Sequence, residues 1–313
     1  AAPNDRTRHG AGWGTTQPMN THVTGRRAGA ALSVTGAAAL LSFAAPAWAA
    51  ADAGGEKVLR ICAAEKEEPY SNRDGSGFEN RIGEVIAKAM GRKPEFIWYD
   101  KPAIYLVRDQ LNTNECDLVV GLDTGDTRVA TSDPYYRAPY VFIQRADSPL
   151  EIKDWDSPDL RKANNIGMAQ DSPAQVMLEA LGLFNRNFNY MKSLIGFKSK
   201  RNQYVRVPPE KMVGDVADGK ADVAIGFAPE VARYVKQRGD KLKMTVIPDT
   251  ATRGDGEKVP FHFNQSFGVR KGDTELLSEL NAAIDKAKPE IESILKDEGV
   301  PIEEPTTPEG RAG

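Results

Sequence analysis

Apolar positions along the chain alternate between two periods, and this alternation predicts strands that are separated by helices. Short apolar runs at Val58–Ala63 and Leu118–Val120 are typical of buried strands in a parallel sheet. Between them, apolar residues recur every three or four positions over residues 78–89, which predicts a helix. Ser76 and Glu79 have the spacing of a capping box at the start of this helix. Residues 95–99 predict a further strand, and Ile104, Val107 and Leu111 mark a second short helix, so the first part of the chain predicts a β-α-β-α-β unit.

The same alternation begins again after residue 164. Pro173, Pro209 and Pro229 each stand at the start of a helical pattern, where proline's missing N–H costs little. Strands are predicted at residues 165–168, 221–225, 242–247 and 265–270, followed by a long helix with Leu276, Leu277, Leu280 and Ile284 on one face. The pattern predicts an α/β fold of two lobes, with parallel-type sheets covered by helices and two crossovers between the lobes.

The order of these units predicts how the chain is divided. We expect residues 50–147 to form the first part of lobe I, 148–262 to form lobe II, and 263–299 to return to lobe I. The polar, proline-rich residues 300–313 are expected to form a flexible tail. Ligands of such sheets bind at the carboxyl ends of the strands, so the loops that follow the strands should face one cleft.

Residues 1–49 have the composition of a leader with a signal peptide. The basic pair Arg26-Arg27 precedes an apolar, alanine-rich run over residues 28–43, and Ala47-Trp48-Ala49 is a small-x-small cleavage site. We expect export of the chain and cleavage near Ala49. In the mature chain, no segment is both apolar enough and long enough to span a bilayer. Residues 1–18 precede Met19 and are not expected to belong to the fold.

Charge and cysteine content narrow the classes of function. The net charge of −3 becomes −6 without residues 1–49, which carry four arginines and one aspartate, so nucleic-acid binding is not expected. Export to an oxidising compartment favours a disulfide between Cys62 and Cys116, with two buried free thiols as the alternative. His262 is the single histidine after the leader, so a zinc site with His and Cys ligands is not expected, and a packed role is favoured over a catalytic one.

The loop after the third predicted strand carries charged side chains that suit a ligand site. Asp123, Asp126 and Arg128 lie within six positions. Arg128 offers a planar fork that fits a carboxylate or a phosphate, or it is neutralised locally by Asp123 or Asp126. The sequence leaves both alternatives open. A calcium site is not expected, because the spacing of an EF-hand loop and its terminal glutamate are missing.

Two further loops supply candidate contacts to a small ligand. Tyr70 and Asn72 follow the first strand, and the alternative is a turn whose residues bond only to their own backbone. Ser172 precedes a helix, where it serves either an anion site or a simple N-cap. No nucleophile elbow, Walker loop or dinucleotide-binding glycine motif occurs, which favours binding over turnover and predicts no catalytic residues, cofactor or metal.

A basic segment on this acidic chain is a candidate for partner docking. Lys198, Lys200, Arg201 and Tyr204 lie within residues 189–209, where basic and aromatic side chains alternate. Tyrosine and arginine are favoured at protein interfaces. The alternative is a solvated loop and strand without a partner.

Several long strings resemble a known family. CDLVVGLDTGDTRVATSDPYY and FGVRKGDTELLSELNAAIDKA resemble the family 3 periplasmic solute-binding proteins of the type II fold, over nearly all of residues 57–299. LRICAAEKEEPYSNRDGSGFEN and WYDKPAIYLVRDQL resemble, more closely, the J component of bacterial methanol-oxidation systems. The resemblance implies a periplasmic accessory protein that supports, matures or activates a quinoprotein methanol dehydrogenase through protein contact. The alternative is the substrate-binding protein of a small-solute ABC transporter.

The chain departs from the amino-acid-binding members of that family at the ligand grip. Their arginine for the ligand carboxylate matches Arg128, whereas their aspartate for the ligand ammonium aligns with Phe227, which offers only a cation–π contact. Their glycine-threonine turn is replaced by residues 171–173. We therefore expect a cleft whose ligand, if any, is not an α-amino acid. A catalytic variant of the fold would need an acid–base pair, for example Glu65 with Arg128.

Overall fold

The computed structural model describes residues 57–195 and 206–306. The predicted leader and signal peptide at residues 1–49 lie outside these ranges, and so do the candidate docking residues Lys198, Lys200, Arg201 and Tyr204. Within the described ranges, no helix combines the length and the apolar character that crossing a membrane requires.

The described residues form a mixed α/β fold. The strands are β1 (Val58–Ala64), β2 (Lys66–Glu67), β3 (Ser71–Asn72), β4 (Lys93–Tyr99), β5 (Leu118–Asp123), β6 (Ala130–Thr131), β7 (Tyr136–Arg145), β8 (Ile166–Met168), β9 (Val223–Phe227), β10 (Leu242–Val246) and β11 (His262–Val269). The α-helices are α1 (Phe78–Ala89), α2 (Pro173–Ala180), α3 (Phe184–Ile195), α4 (Pro209–Ala217), α5 (Ala228–Gln237) and α6 (Thr274–Glu298). The predicted α/β class is confirmed.

The first half of the sheet contains the predicted β-α-β-α-β unit. Strands β4, β1 and β5 run parallel, as the apolar runs predicted. Strand β11 then joins β5 in the antiparallel direction, because the chain returns to this half from the opposite side. Helix α1 covers this half with Phe78, Ile82 and Ile86 fully buried, and helix α6 packs against α1.

The second half of the sheet is linked to the first through the long strand β7. Its residues 136–139 pair with β11, and its residues 140–143 pair with β9. Strand β8 extends β9 in parallel, and β10 pairs with β7. The second connection is the segment 247–261, which leads from β10 back to β11. We propose that these halves are the two lobes. The partner of β7 changes from β11 to β9 near Tyr140, whereas the sequence predicted the boundary between the lobes at residue 147.

The predicted capping box at the start of α1 is wrong. Gly77 is the N-cap of α1, and no side chain caps the helix. A side chain is excluded at this position, since a Cβ on Gly77 would lie 2.2 Å from the carbonyl oxygen of Tyr70. The carboxylate of Glu79 turns away from the helix end and lies against Gly121 instead.

The second predicted helix is replaced by two short irregular turns. A 3₁₀ turn spans Ala103–Tyr105 and a π-type turn spans Val107–Leu111. Together they bury the predicted disulfide, which joins Cys62 to Cys116 with 5.4 Å between the Cα atoms. The preference for a disulfide over two free thiols is confirmed.

Residues 300–306, which the sequence predicted to lie in a flexible tail, contact the rest of the fold. The backbone of Glu303 pairs with that of Arg137 on β7, and its carboxylate lies 2.8 Å from Nδ1 of His262. Nε2 of His262 lies 2.7 Å from the carbonyl oxygen of Ile247. The histidine is thus packed between two partners, and together these contacts hold the segment on the fold.

Candidate functional site

Two adjoining cavities lie between the halves of the sheet, at the carboxyl ends of its parallel strands. The larger has a volume of about 480 Å³ and the smaller about 290 Å³, sizes that suit small ligands. Asp123, at the end of β5, and Phe227, at the end of β9, line both cavities. The predicted cleft is therefore present, and we treat the two cavities as one cleft.

Three aromatic rings line the larger cavity. The register of β7 against β9 places Tyr140 directly opposite Phe227, and their ring centroids are 5.4 Å apart. Phe263, from β11, lies 6.0 Å from Tyr140 and 6.2 Å from Phe227, in edge-to-face arrangements. The three rings pack against one another and together line one side of the larger cavity. We call this group of rings the aromatic corner. Sequence reasoning identified Phe227 but missed Tyr140 and Phe263.

Ser172 lines the larger cavity but serves the helix below it. Its hydroxyl accepts a hydrogen bond from the backbone N–H of Gln175 and donates one to the carbonyl oxygen of Ala169 at 2.7 Å. Ser172 is therefore the N-cap of α2, which is the simpler of the two predicted roles. Its neighbour Asp171 also lines this cavity and adopts a left-handed backbone conformation with φ of 56°.

Arg128 is held by a carboxylate of its own loop. Its Nη2 lies 2.6 Å from Oδ2 of Asp126, its Nε lies 3.1 Å from both carboxylate oxygens, and its backbone N–H also donates to Asp126. The hydrogen bonds from Arg128 lower the pKa of the Asp126 carboxyl. Of the two alternatives that the sequence left open, the structure has the local salt bridge, although the guanidinium still borders the smaller cavity.

Asp123 faces the cleft with a neutral partner. Gln265 stands directly opposite it in the register of β11 against β5, and its Nε2 donates to Oδ1 of Asp123 at 2.6 Å. Desolvation in the cleft wall raises the pKa of Asp123, the charge of Asp126 raises it further, and the bond from Gln265 acts in the opposite direction. No ion pair neutralises this carboxylate within the described residues.

Glu79 is a second carboxylate in the smaller cavity, and sequence reasoning assigned it to a cap. Its oxygen occupies the space beside Gly121, where a Cβ would lie 1.8 Å away. Burial raises the pKa of Glu79 well above its usual value, and the charge of Glu67 adds to this effect. Within residues 57–195 and 206–306 its carboxylate has no hydrogen bond or ion pair. Gly121, which follows the apolar run of β5, is the feature of the sequence that indicates this close approach of the Glu79 carboxylate.

The remaining predicted contacts divide between the cleft and its surroundings. Tyr70 lines the smaller cavity and packs on Phe78 at 5.2 Å. Asn72 lies in the neighbouring turn, where its amide donates to Glu68 and its oxygen accepts from the backbone N–H of Arg73. Glu65 pairs with Arg73 and lines neither cavity, so the structure does not bring it together with Arg128 as an acid–base pair.

An arginine links the two halves at the cleft. Arg206, which precedes α4, bonds Glu67 of β2 in the first half and lies 2.9 Å from Glu230 of α5 in the second half. The centroid of the Tyr70 ring lies 6.0 Å from its guanidinium. Burial lowers the pKa of Arg206, but the two glutamates outweigh that effect and raise it overall. We call this contact the arginine clasp.

Replacing Arg206 by methionine should loosen the two halves without unfolding the protein. Methionine keeps much of the length of the side chain and removes both ion pairs, so we expect a loss of at most about 1 kcal/mol, equivalent to a roughly fivefold shift toward the open arrangement. Small-angle scattering should show a more extended particle. Arg253→Met is the control, because Arg253 pairs only with residues of its own turn. Identical scattering curves for both variants would mean that the clasp does not hold the halves.

A family model matches most of the chain. The description of that family is bacterial extracellular solute-binding proteins, family 3, and its match covers residues 59–296. The protein MoxJ of Methylorubrum extorquens is 48% identical over 293 residues, which cover 90% of this chain and 97% of that relative.

Solved structures agree with this family. The crystal structure of MxaJ from Methlophaga aminisulfidivorans is 50% identical, with a TM-score of 0.75, and the match covers 79% of this chain and all of that one. The periplasmic binding protein XoxJ from Methylobacterium extorquens is 27% identical, with a TM-score of 0.59 and coverage of 79% of this chain and 100% of that chain.

Proposed function

Because the chain belongs to family 3 of the bacterial extracellular solute-binding proteins, and within it to the proteins called MoxJ and MxaJ, we propose that it is a periplasmic accessory protein of methanol oxidation. It contacts a quinoprotein methanol dehydrogenase and supports its maturation or activation. In this role it has no catalytic activity of its own, and the quinone cofactor belongs to the dehydrogenase.

The observation that carries this proposal is identity along almost the whole chain. MoxJ shares 48% of residues over 293 positions, which cover 90% of this chain and 97% of that relative. The periplasmic location rests on the extracellular description of the family, on the description of XoxJ as a periplasmic binding protein and on the predicted export signal.

The geometry of the cleft favours an accessory role over transport of amino acids. Arg128 is occupied by Asp126, and Phe227 stands where the family's amino-acid binders use an aspartate, so neither end of a zwitterion meets its usual partner. A transport receptor must also open and close around its solute. Here the arginine clasp joins the halves through ion pairs between the chain's own residues.

Co-purification from periplasm tests the proposal. Tagged protein should recover the large subunit of methanol dehydrogenase, and deletion of its gene should abolish methanol oxidation. Reversing the candidate docking charges, Lys198, Lys200 and Arg201, to glutamate should reduce recovery about tenfold, because charges at an interface set the encounter rate. The same reversal at Lys153, Lys162 and Lys241, which are exposed, is the matched control and should leave recovery unchanged.

Two results would overturn this function. One is the absence of association between the purified components, together with normal methanol oxidation in the deletion strain. The other is a tight solute that raises the melting temperature by mass action and whose uptake fails in that strain, which would make the chain the substrate-binding protein of a transporter.

A further inference from the structure

We propose that the cleft binds a small organic cation, an alkylated ammonium ion, which sits in the aromatic corner with Asp123 as its counter-ion. This ligand class goes beyond the contact with the dehydrogenase and does not depend on it. Three features of the larger cavity support it: the arrangement of its rings, the sign of its charges, and the absence of a free cation on its described walls.

The rings concentrate aromatic surface at one side of the cavity. Tyr140, Phe227 and Phe263 lie 5.4–6.2 Å apart, with interplanar angles of 40°, 64° and 86°. Because all three rings line the same cavity, a small group in the corner contacts more than one of them. A cation within about 6 Å of a ring centroid is attracted by the negative ring face, and alkylated ammonium ions also bury their methyl groups against the rings.

The charged side chains that line the larger cavity are acidic. Asp123 and Asp171 line it, and no lysine, arginine or histidine is found among its described lining residues. Asp123 has only the amide of Gln265 as a partner, and no ion pair involving Asp171 occurs in the described part of the chain. An anion would therefore meet uncompensated negative charge, whereas a cation would be attracted by both the carboxylates and the rings.

Two arginines near the cleft, among the residues that the structure describes, already have carboxylate partners. Arg128 is bound to Asp126, and Arg206 is bound to Glu67 and Glu230. A carboxylate on the ligand would have to share an arginine that already has a carboxylate partner, which disfavours amino acids and organic acids alike. In the adjoining cavity, Glu79 adds another carboxylate that lacks a described partner. The described lining of the larger cavity therefore favours positive charge.

Matched probes separate charge from shape. Choline and 3,3-dimethylbutan-1-ol have nearly the same shape, but only choline is charged, and propionate supplies the opposite sign. In calorimetric titrations of the mature protein, choline or trimethylammonium should bind at least tenfold more tightly than the neutral alcohol, and propionate should not bind. Choline should also raise the melting temperature.

Substitutions locate the site. Asp123→Asn keeps an oxygen for the bond from Gln265 but removes the charge, and Phe227→Leu removes one ring with a small change in volume; each should weaken choline binding about tenfold. Asp147→Asn and Phe188→Leu are the matched controls, because both residues are exposed and line neither cavity. The melting temperature of each unliganded variant verifies that it is folded.

Three outcomes would overturn the inference: no binding of either ammonium ion, equal binding of choline and its neutral isostere, or binding that survives both cleft substitutions. Any of these would leave the dehydrogenase proposal intact, because co-purification measures contact between proteins and not occupancy of the cleft.

Discussion

Replacing Glu298 by alanine is expected to lower the free energy of unfolding by about 3–5 kcal/mol. Glu298 is the last residue of α6, and its side chain is 8% exposed. It receives Nε of Arg233 at 2.6 Å and Nη2 of Arg233 at 2.9 Å, and it also pairs with Arg81. Its removal leaves two partly buried guanidinium groups without their counter-ion.

The position of Glu298 makes the ion pairs necessary. A carboxylate at the C-terminal end of a helix opposes the helix dipole, so it is unfavourable there unless cations neutralise it. Arg81 comes from α1 and Arg233 from α5, so this single carboxylate joins α1 and α6 of the first half to α5 of the second half. Loss of the charge should therefore destabilise both the core contacts and the junction of the halves.

Urea unfolding at neutral pH measures this effect. Glu290→Ala is the matched control, because Glu290 lies on the same helix and its pair with Lys88 is exposed; it should change stability by less than about 0.5 kcal/mol. Glu298→Gln, which keeps the shape and some hydrogen bonds, should fall between the two. A loss for Glu298→Ala no larger than that of the control would show that the two arginines are adequately solvated without it.

The double substitution of Cys62 and Cys116 by alanine should cost about 4 kcal/mol. The bond closes a loop with a sequence separation of 54, and in the chain-entropy model such a cross-link restricts the unfolded state strongly. In the folded state both sulfurs lie under the irregular turns that contain Leu106, Val107 and Leu111. The bond should thus stabilise a region that lacks a regular helix.

Reduction provides the control for this prediction. The sequence contains two cysteines in total, so dithiothreitol acts on this bond alone. The wild-type protein in dithiothreitol should unfold at the same urea concentration as the double variant, and dithiothreitol should not affect the variant itself. A variant as stable as the oxidised wild type would indicate that the unfolded chain is already compact around this loop.

The parts of the fold that depend on neighbouring residues could be predicted from the sequence. Rules that act over a few positions account for several elements. They explain the apolar runs of β1 and β5, the helical repeat of α1 and the proline at the start of α2. Ser76 and Glu79 have the spacing of a capping box, but the N-cap of α1 is Gly77. At that position the backbone of Tyr70 lies too close for any residue except glycine. Helix α3 (Phe184–Ile195) was not predicted from the sequence.

The sequence by itself determined the α/β class and the family and favoured the disulfide, because strand and helix periods, long strings that resemble the family and a pair of cysteines are all visible in one dimension. Only the tertiary structure decided the character of the cleft. It placed Tyr140, Phe227 and Phe263 together and turned Arg206 toward Glu67, contacts between residues that are 36–139 positions apart. Such contacts depend on strand register and on the route of two crossovers, which no local pattern of side chains encodes.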